Sequence, residues 1–228
     1  MLKGIIFDLD STLIQAHIDF VEMKKHMIKL LEEHGHPEGY LSPTDQTTVQ
    51  IMESAREAWV QNEKSRSECQ KISEAIEVIM NKGELDAVVD LSEIEGASIA
   101  ITALKRKGLK LAILTRSHHE YALQALDKIE ALHHFDVVLG RNETPEPKPY
   151  KGAIEHTLKL MSLDRSEVAM IGDHQIDRDS ATNSGTIFVG VATGRRGLKS
   201  WADEAPPEHF LPSVRELPDY LENNGFIK

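Results

Sequence analysis

The second half of this chain repeats one pattern four times, and that pattern narrows the possible folds more than any other feature. Short aliphatic and β-branched runs at residues 109–114 (LKLAIL), 135–139 (FDVVL), 168–171 (VAMI) and 186–191 (TIFVGV) alternate with stretches of helical spacing at 99–107, 120–129, 151–161, 177–183 and 214–222. Continuous apolar runs of this length suit strands buried on both faces. Strands alternating with helices through short connections predict a parallel sheet covered on both sides, an α/β fold. A fifth run belongs to the same sheet. It is Ile5, Ile6 and Phe7 at the amino terminus, followed at once by Asp8, Asp10, Ser11 and Thr12.

Between that first strand and the repeating half lies a region of different character. Residues 17–34, 44–64 and 67–80 carry apolar residues at helical spacing: Val21, Met27, Ile28 and Leu31 in the first, Val49, Met52, Ala55 and Trp59 in the second, Ile72, Ala75, Ile76 and Ile79 in the third. Gly35, Pro37 and Gly39 break the first from the second. Gly83 reads as a cap after the third, and 85–91 as a short helix. No strand is expected here. The expected organisation is a core of residues 1–13 and 94–228, interrupted by a helical insertion of residues 14–93.

In open parallel sheets, ligands bind outside the carboxyl ends of the strands. Those ends carry Asp8 and Asp10, then Thr115, then a Pro-rich loop (TPEPKP) with Lys148, then Asp173 and Asp177. Residues two apart in an extended chain point the same way, so Asp8 and Asp10 are expected to face one cleft. Like charges held so close are unfavourable unless a cation, a proton or a reaction uses them. Alone, the stretch fits a polar turn equally well. The converging set, a hydroxyl, an ammonium and several carboxylates, suits phosphoryl transfer, which depends on positioning and charge neutralisation. Carboxylates serve there as covalent nucleophiles, and Mg²⁺ is usually held by one or two of them.

Bulk properties limit the partners. A net charge of -11 argues against a general nucleic-acid or anionic-membrane surface. A small anionic substrate remains compatible, because Lys, Arg and Mg²⁺ can reverse the field locally. The single cysteine, Cys69, excludes an internal disulfide and fits a reducing compartment. Asp8 and Asp10 interrupt the only apolar run near the amino terminus, and no window reaches the length of a membrane span. A cytoplasmic monomer or homodimer is expected.

The segments FDLDSTL, ILTRS, PEPKP and IGDHQID, in this order, resemble the four motifs of the haloacid dehalogenase superfamily, in particular its phosphoglycolate phosphatase-like members with a helical cap. The resemblance covers the α/β part of the chain. It implies a Rossmann-like core and a Mg²⁺-dependent phosphatase acting on a small phosphorylated metabolite. Asp8 would be the nucleophile and Asp10 the acid/base that serves the leaving oxygen and then water. Thr115 and Lys148 would hold the phosphoryl oxygens. Asp173 would bind Mg²⁺ with the Asp8 carboxylate and the Asp10 backbone carbonyl, and Asp177 would orient the site from behind. The helical insertion would be a cap that excludes water and selects the leaving group, with Lys24, Lys25, Arg56, Lys64 and Arg66 as candidate contacts, most of them better read as solvated. Two departures stand out: Ser11 where many relatives have Gly, and Arg116 where they often have Asn. An arginine there either binds a substrate carboxylate or phosphate bidentately or merely lies on the surface. A phosphomutase of the β-phosphoglucomutase type would use the same motifs, and a non-catalytic binding protein could keep the same fold. His118, His119, His174 and Asp179 match no motif position and are expected to cap or face solvent.

Overall fold

The structure is a computed structural model and describes residues 1–194, 197, 201 and 206–228. The chain divides into two compact units, one of residues 1–16 and 90–228 and one of residues 17–89.

The larger unit is built on six parallel strands: β1 (Gly4–Phe7), β4 (Lys110–Leu114), β5 (Val137–Leu139), β6 (Val168–Gly172), β7 (Ile187–Val191) and β8 (Phe210–Leu211), in the order β5-β4-β1-β6-β7-β8. The parallel sheet matches the α/β expectation. Its sixth strand escapes the sequence reading, because two residues are too few to show a period. β1 lies at the centre, with Phe7 opposite Ile113 on one side and Ile171 on the other. Ile5, Ile6 and Phe7 are completely buried, as a strand covered on both faces requires. Helices α4 (Ala97–Arg106), α5 (His119–Lys128), α6 (Lys151–Met161), α7 (Gln175–Ser184) and α8 (Leu217–Asn223) connect and cover the strands. One face of the sheet meets α6 and α7 through Ile6, Leu114 and Met170 packed with Ile154, Leu158 and Ala181.

The region expected to lack strands contains two, each of two residues. β2 (Ile14–Gln15) pairs antiparallel with β3 (Ser92–Glu93), and the chain leaves and re-enters the larger unit through this ribbon. Ile14 is fully buried, but one apolar residue in a two-residue strand gives no alternation to read.

The smaller unit holds α1 (Phe20–Glu33), α2 (Thr48–Gln61) and α3 (Arg66–Asp86). Local chemistry starts each one. Asp19 accepts from the Glu22 amide, and Thr47 with Gln50 and Ser65 with Glu68 form reciprocal capping boxes. Gly83 does not cap α3, which continues to Asp86. A Cβ at Gly83 would lie 2.9 Å from Cε of Met23, so the glycine lets α1 approach α3 closely. A short 3-10 turn over Ala87–Asp90 stands in place of the separate helix expected at 85–91.

Candidate active site

Because β1 is central, whatever follows Phe7 sits between the ends of β4 and β6. The Asp8 amide donates to the Ile171 carbonyl at 2.9 Å, which ties the end of β1 to the end of β6 just before Asp173. Lys148, in the loop ahead of α6 and joined to Pro149 by a cis peptide, reaches the same place. Its Nζ donates to Asp8 Oδ1 at 2.6 Å and to Asp177 Oδ1 at 2.7 Å, and its side chain is only 2% exposed. Asp177 also accepts from the His174 amide at the start of α7. Glycine at 172 is required for this packing, since a Cβ there would fall 2.5 Å from the Asp177 side chain.

Oxygens of Asp8, Asp173 and Asp177 all lie within 4.8 Å of one another. Thr12, wholly buried, places its hydroxyl 3.5 Å from both Asp8 Oδ2 and Asp173 Oδ1. The electrostatics follow from that crowding. Burial, with the charges of Asp8 and Asp177 added to it, pushes the Asp173 carboxyl up to about 8. Burial pushes Asp177 up to about 6, against the pull of Lys148. Burial would also lower the Lys148 ammonium, but Asp177 and Asp8 outweigh it and hold it above the ordinary lysine value. One ammonium thus faces three buried carboxylates. Such an excess of oxygen donors fits a hard divalent cation of the Mg²⁺ kind.

Asp10 does not join this cluster. Strand alternation ends at Phe7: the Leu9 carbonyl accepts from the amides of Thr12, Leu13 and Ile14, and Ser11 adopts a left-handed backbone with φ of 66°. The turn sends the two carboxylates to different partners. Asp10 Oδ1 accepts from the Tyr121 hydroxyl at 2.6 Å and Oδ2 from the Ser117 hydroxyl at 2.9 Å. Ser117 is tied to Thr115 as well, its amide donating to Thr115 Oγ1 at 3.0 Å. Thr115 is buried, and accepting that bond leaves its hydroxyl proton available for donation.

Arg116 is half-buried. Burial lowers its guanidinium from the ordinary value, while Asp177 and Asp8 pull it back up and Arg141 pushes it down. Arg141, just after β5, donates through its amide to the Ser117 carbonyl and through Nη1 to the Arg116 carbonyl, so the loops after β4 and β5 are clipped together. His119 and Glu143 reinforce the clip at 2.6 Å. His174 accepts from the Ile176 amide as a helix cap, whereas Asp179, half-buried within α7, accepts from the Gln175 side chain one turn before it, neither a cap nor a solvated residue.

Thus Asp8, Lys148, Asp173 and Asp177 come together directly, and Asp10 and Thr115 are linked through Ser117. In the smaller unit, Lys24 is buried and donates to the Gln46 carbonyl, Lys25 pairs with Glu22, and Arg56 and Arg66 are exposed. Thr12, Ser117, Tyr121 and Arg141 are the site residues that the sequence reading did not single out. Thr12 was within reach as the hydroxyl closing the first motif. The other three carry no local signal, since their partners lie far away in sequence.

Comparison with known proteins places the chain in a family. A family model described as haloacid dehalogenase-like hydrolase matches residues 5–191. A phosphoglycolate phosphatase from Neisseria meningitidis is 27% identical over 124 residues, 54% of this chain and 53% of its own length. Pyrophosphatase PpaX from Listeria monocytogenes is 29% identical over 125 residues, 55% of this chain and 57% of its own. The chain therefore spans about half the length of the curated relatives it matches. A haloacid dehalogenase-like hydrolase from Bacteroides fragilis superposes with a TM-score of 0.67 at 16% identity, covering 95% of this chain and all of that one, a likeness of fold. With the family model spanning the strands β1 to β7 and every motif that bears a site residue, this chain belongs to the haloacid dehalogenase-like hydrolases.

Proposed function

We propose that the chain is a Mg²⁺-dependent phosphomonoester hydrolase that acts on a small phosphorylated metabolite through an aspartyl-phosphate, with phosphoglycolate as the first ester to test and pyrophosphate, an anhydride, as the comparison. The observation that carries this reading is the Asp8 carboxylate, held between the Lys148 ammonium and the Thr12 hydroxyl at a crowded acidic edge, with a second carboxylate, Asp10, two residues on. Asp8 attacks phosphorus as the bond to the leaving oxygen breaks. The Asp10 carboxyl gives its proton to that oxygen, yielding an alcohol and the acyl phosphate of Asp8. Water then attacks phosphorus, its proton passes to Asp10, and inorganic phosphate leaves with Asp8 restored. Lys148 and Thr115 donate to the phosphoryl oxygens, with Lys148 supplying a full charge. Mg²⁺ would be held by Asp8, Asp173 and the Asp10 carbonyl, where it would neutralise the charge gathering on the transferred group. Asp177 fixes Lys148 from behind. Arg116 offers a fork for a second anionic group on the substrate, which both phosphoglycolate and pyrophosphate possess. The helical unit is proposed as the cap.

The test is release of phosphate from an aryl phosphate and from a panel of metabolite phosphates, in Mg²⁺ and in EDTA. Mg²⁺-dependent release by the wild type is expected, with a loss of about 10⁴-fold or more in Asp8→Asn. Equal turnover by that variant would remove the nucleophile assignment. Transfer of phosphate to a second sugar phosphate rather than to water would favour a mutase.

A further inference from the structure

We infer that Ser117 and Tyr121 are positioning residues for the acid/base: their hydroxyls fix the orientation of the Asp10 carboxyl so that its proton is aimed at the leaving oxygen. This deepens the phosphatase reading and rests on it.

The geometry is specific to each oxygen. Tyr121, on the first turn of α5, is completely buried, and its hydroxyl donates to Asp10 Oδ1 at 2.6 Å. Ser117, in the loop just before α5, donates to Oδ2 at 2.9 Å. Two donors on two oxygens leave the carboxyl little freedom to rotate about either side-chain torsion. Ser117 also holds Thr115 through its amide, so one residue relates the acid/base to a proposed phosphoryl donor. The Arg141 amide in turn holds the Ser117 carbonyl, which makes this loop a braced mount.

The chemical type of the donors fits the role. An acid/base must be stable both with and without its proton. A hydroxyl holds a carboxylate oxygen in place without bringing a formal charge, whereas an ammonium adds a full positive charge and favours the ionised form more strongly. The proton inventory is unchanged by either hydroxyl: Asp10 loses its proton to the leaving oxygen and regains one from the attacking water, while Ser117 and Tyr121 keep theirs. The alternative is that a buried phenol simply needed an acceptor.

Leaving-group dependence separates the two. Proton donation matters most for a basic leaving group such as an alkoxide and little for an acidic one such as nitrophenolate. kcat/KM, which reports the transfer to Asp8, is measured for a series of alkyl and aryl phosphates. Tyr121→Phe keeps the ring and removes the donor. It is expected to lower kcat/KM about tenfold for alkyl phosphates, part of the 10²- to 10⁴-fold typical of acid catalysis, and less than about twofold for nitrophenyl phosphate. Ser117→Ala is expected to act the same way and Ser117→Thr to restore the wild-type slope, so the inference remains testable on Ser117 alone should Tyr121→Phe not fold. Equal losses across the series, or no loss, in the folded variants would overturn the positioning role. A wild type inactive on every member would overturn the phosphatase reading and this inference with it, an outcome distinct from parallel lines.

Discussion

Asp8 and Asp10 are two residues apart, yet they are stabilised in opposite ways. Asp8 is buried against a formal positive charge, Lys148, and shares a crowded edge with two more carboxylates. Asp10 is half-buried and is met by two neutral hydroxyls. In the proposed reaction Asp8 attacks as an anion, and Lys148 sets a positive charge beside it. Asp10, the proposed acid/base, is met on each oxygen by a donor that carries no formal charge. The difference shows how one short segment can give two identical side chains two different sets of partners. Between them the chain leaves the strand at Leu9, whose carbonyl accepts from the amides of Thr12, Leu13 and Ile14; Asp10 then meets Ser117 and Tyr121, and beyond the left-handed Ser11 the Thr12 side chain returns to Asp8 and Asp173.

The sharpest way to break the charged side of this comparison is Lys148→Met. With the ammonium gone, Asp8 and Asp177 are left buried without their cation, a change that typically costs about 3–5 kcal/mol. Urea unfolding in EDTA should show that loss, and Mg²⁺ should recover part of it. A stability unchanged in EDTA would mean that Lys148 is not what balances these carboxylates.

A smaller effect is expected from pH. Asp173 has its folded carboxyl raised to about 8, far above its unfolded value, so the folded state holds a proton that the unfolded chain has released. Its contribution is complete at low pH and is lost as pH rises toward and through 8. Metal-free protein should therefore lose thermal stability between pH 6.5 and 8.5, and Asp173→Asn should remove that slope. Mg²⁺ binds the deprotonated carboxylates. At about 100 times its Kd it should add about 2.7 kcal/mol, raising Tm by about 5–10 °C, with the larger gain at the upper end of the pH range. A metal-free profile that is flat in the wild type would contradict the raised carboxyl.

The smallest effect concerns the left-handed residue just after the pair, Ser11. A left-handed backbone costs an L-residue about 1–2 kcal/mol, and glycine avoids that while losing about 0.5–1 kcal/mol through its freer unfolded chain. Ser11→Gly should raise stability by about 0.5 kcal/mol in chemical unfolding, with activity kept. A loss of stability would show that the serine side chain contributes more than the relieved strain.

Legibility in the sequence followed the range of each interaction. Asp8, Thr115, Lys148 and Asp173 were readable because each sits at or near a strand end, and strand ends of a parallel sheet share one edge. Asp10 was found, but its surroundings were not, because a chain that has left the strand no longer alternates. Tyr121 looked like one more core residue of α5, since nothing local distinguishes a buried phenol aimed at a carboxylate from one aimed elsewhere. Gly83 was misread for a related reason. Glycine usually ends a helix, but here close packing against Met23 on another helix outweighs its weak propensity. β8 and the β2–β3 ribbon were too short to leave a period.

That ribbon has a bearing on how such a chain can diversify. Gln15 and Ser92 are paired neighbours, so everything between them begins and ends at one spot on the larger unit. To the sheet, residues 17–89 are a single long loop, and the entropy of closing a loop grows only with the logarithm of its length. Lengthening, shortening or exchanging that stretch disturbs none of the five pairings that order the six strands. A lineage could therefore replace the helices wholesale and inherit Asp8, Asp10 and their partners in working register, which makes the hairpin-like gate at Gln15 and Ser92 the natural joint for recombination.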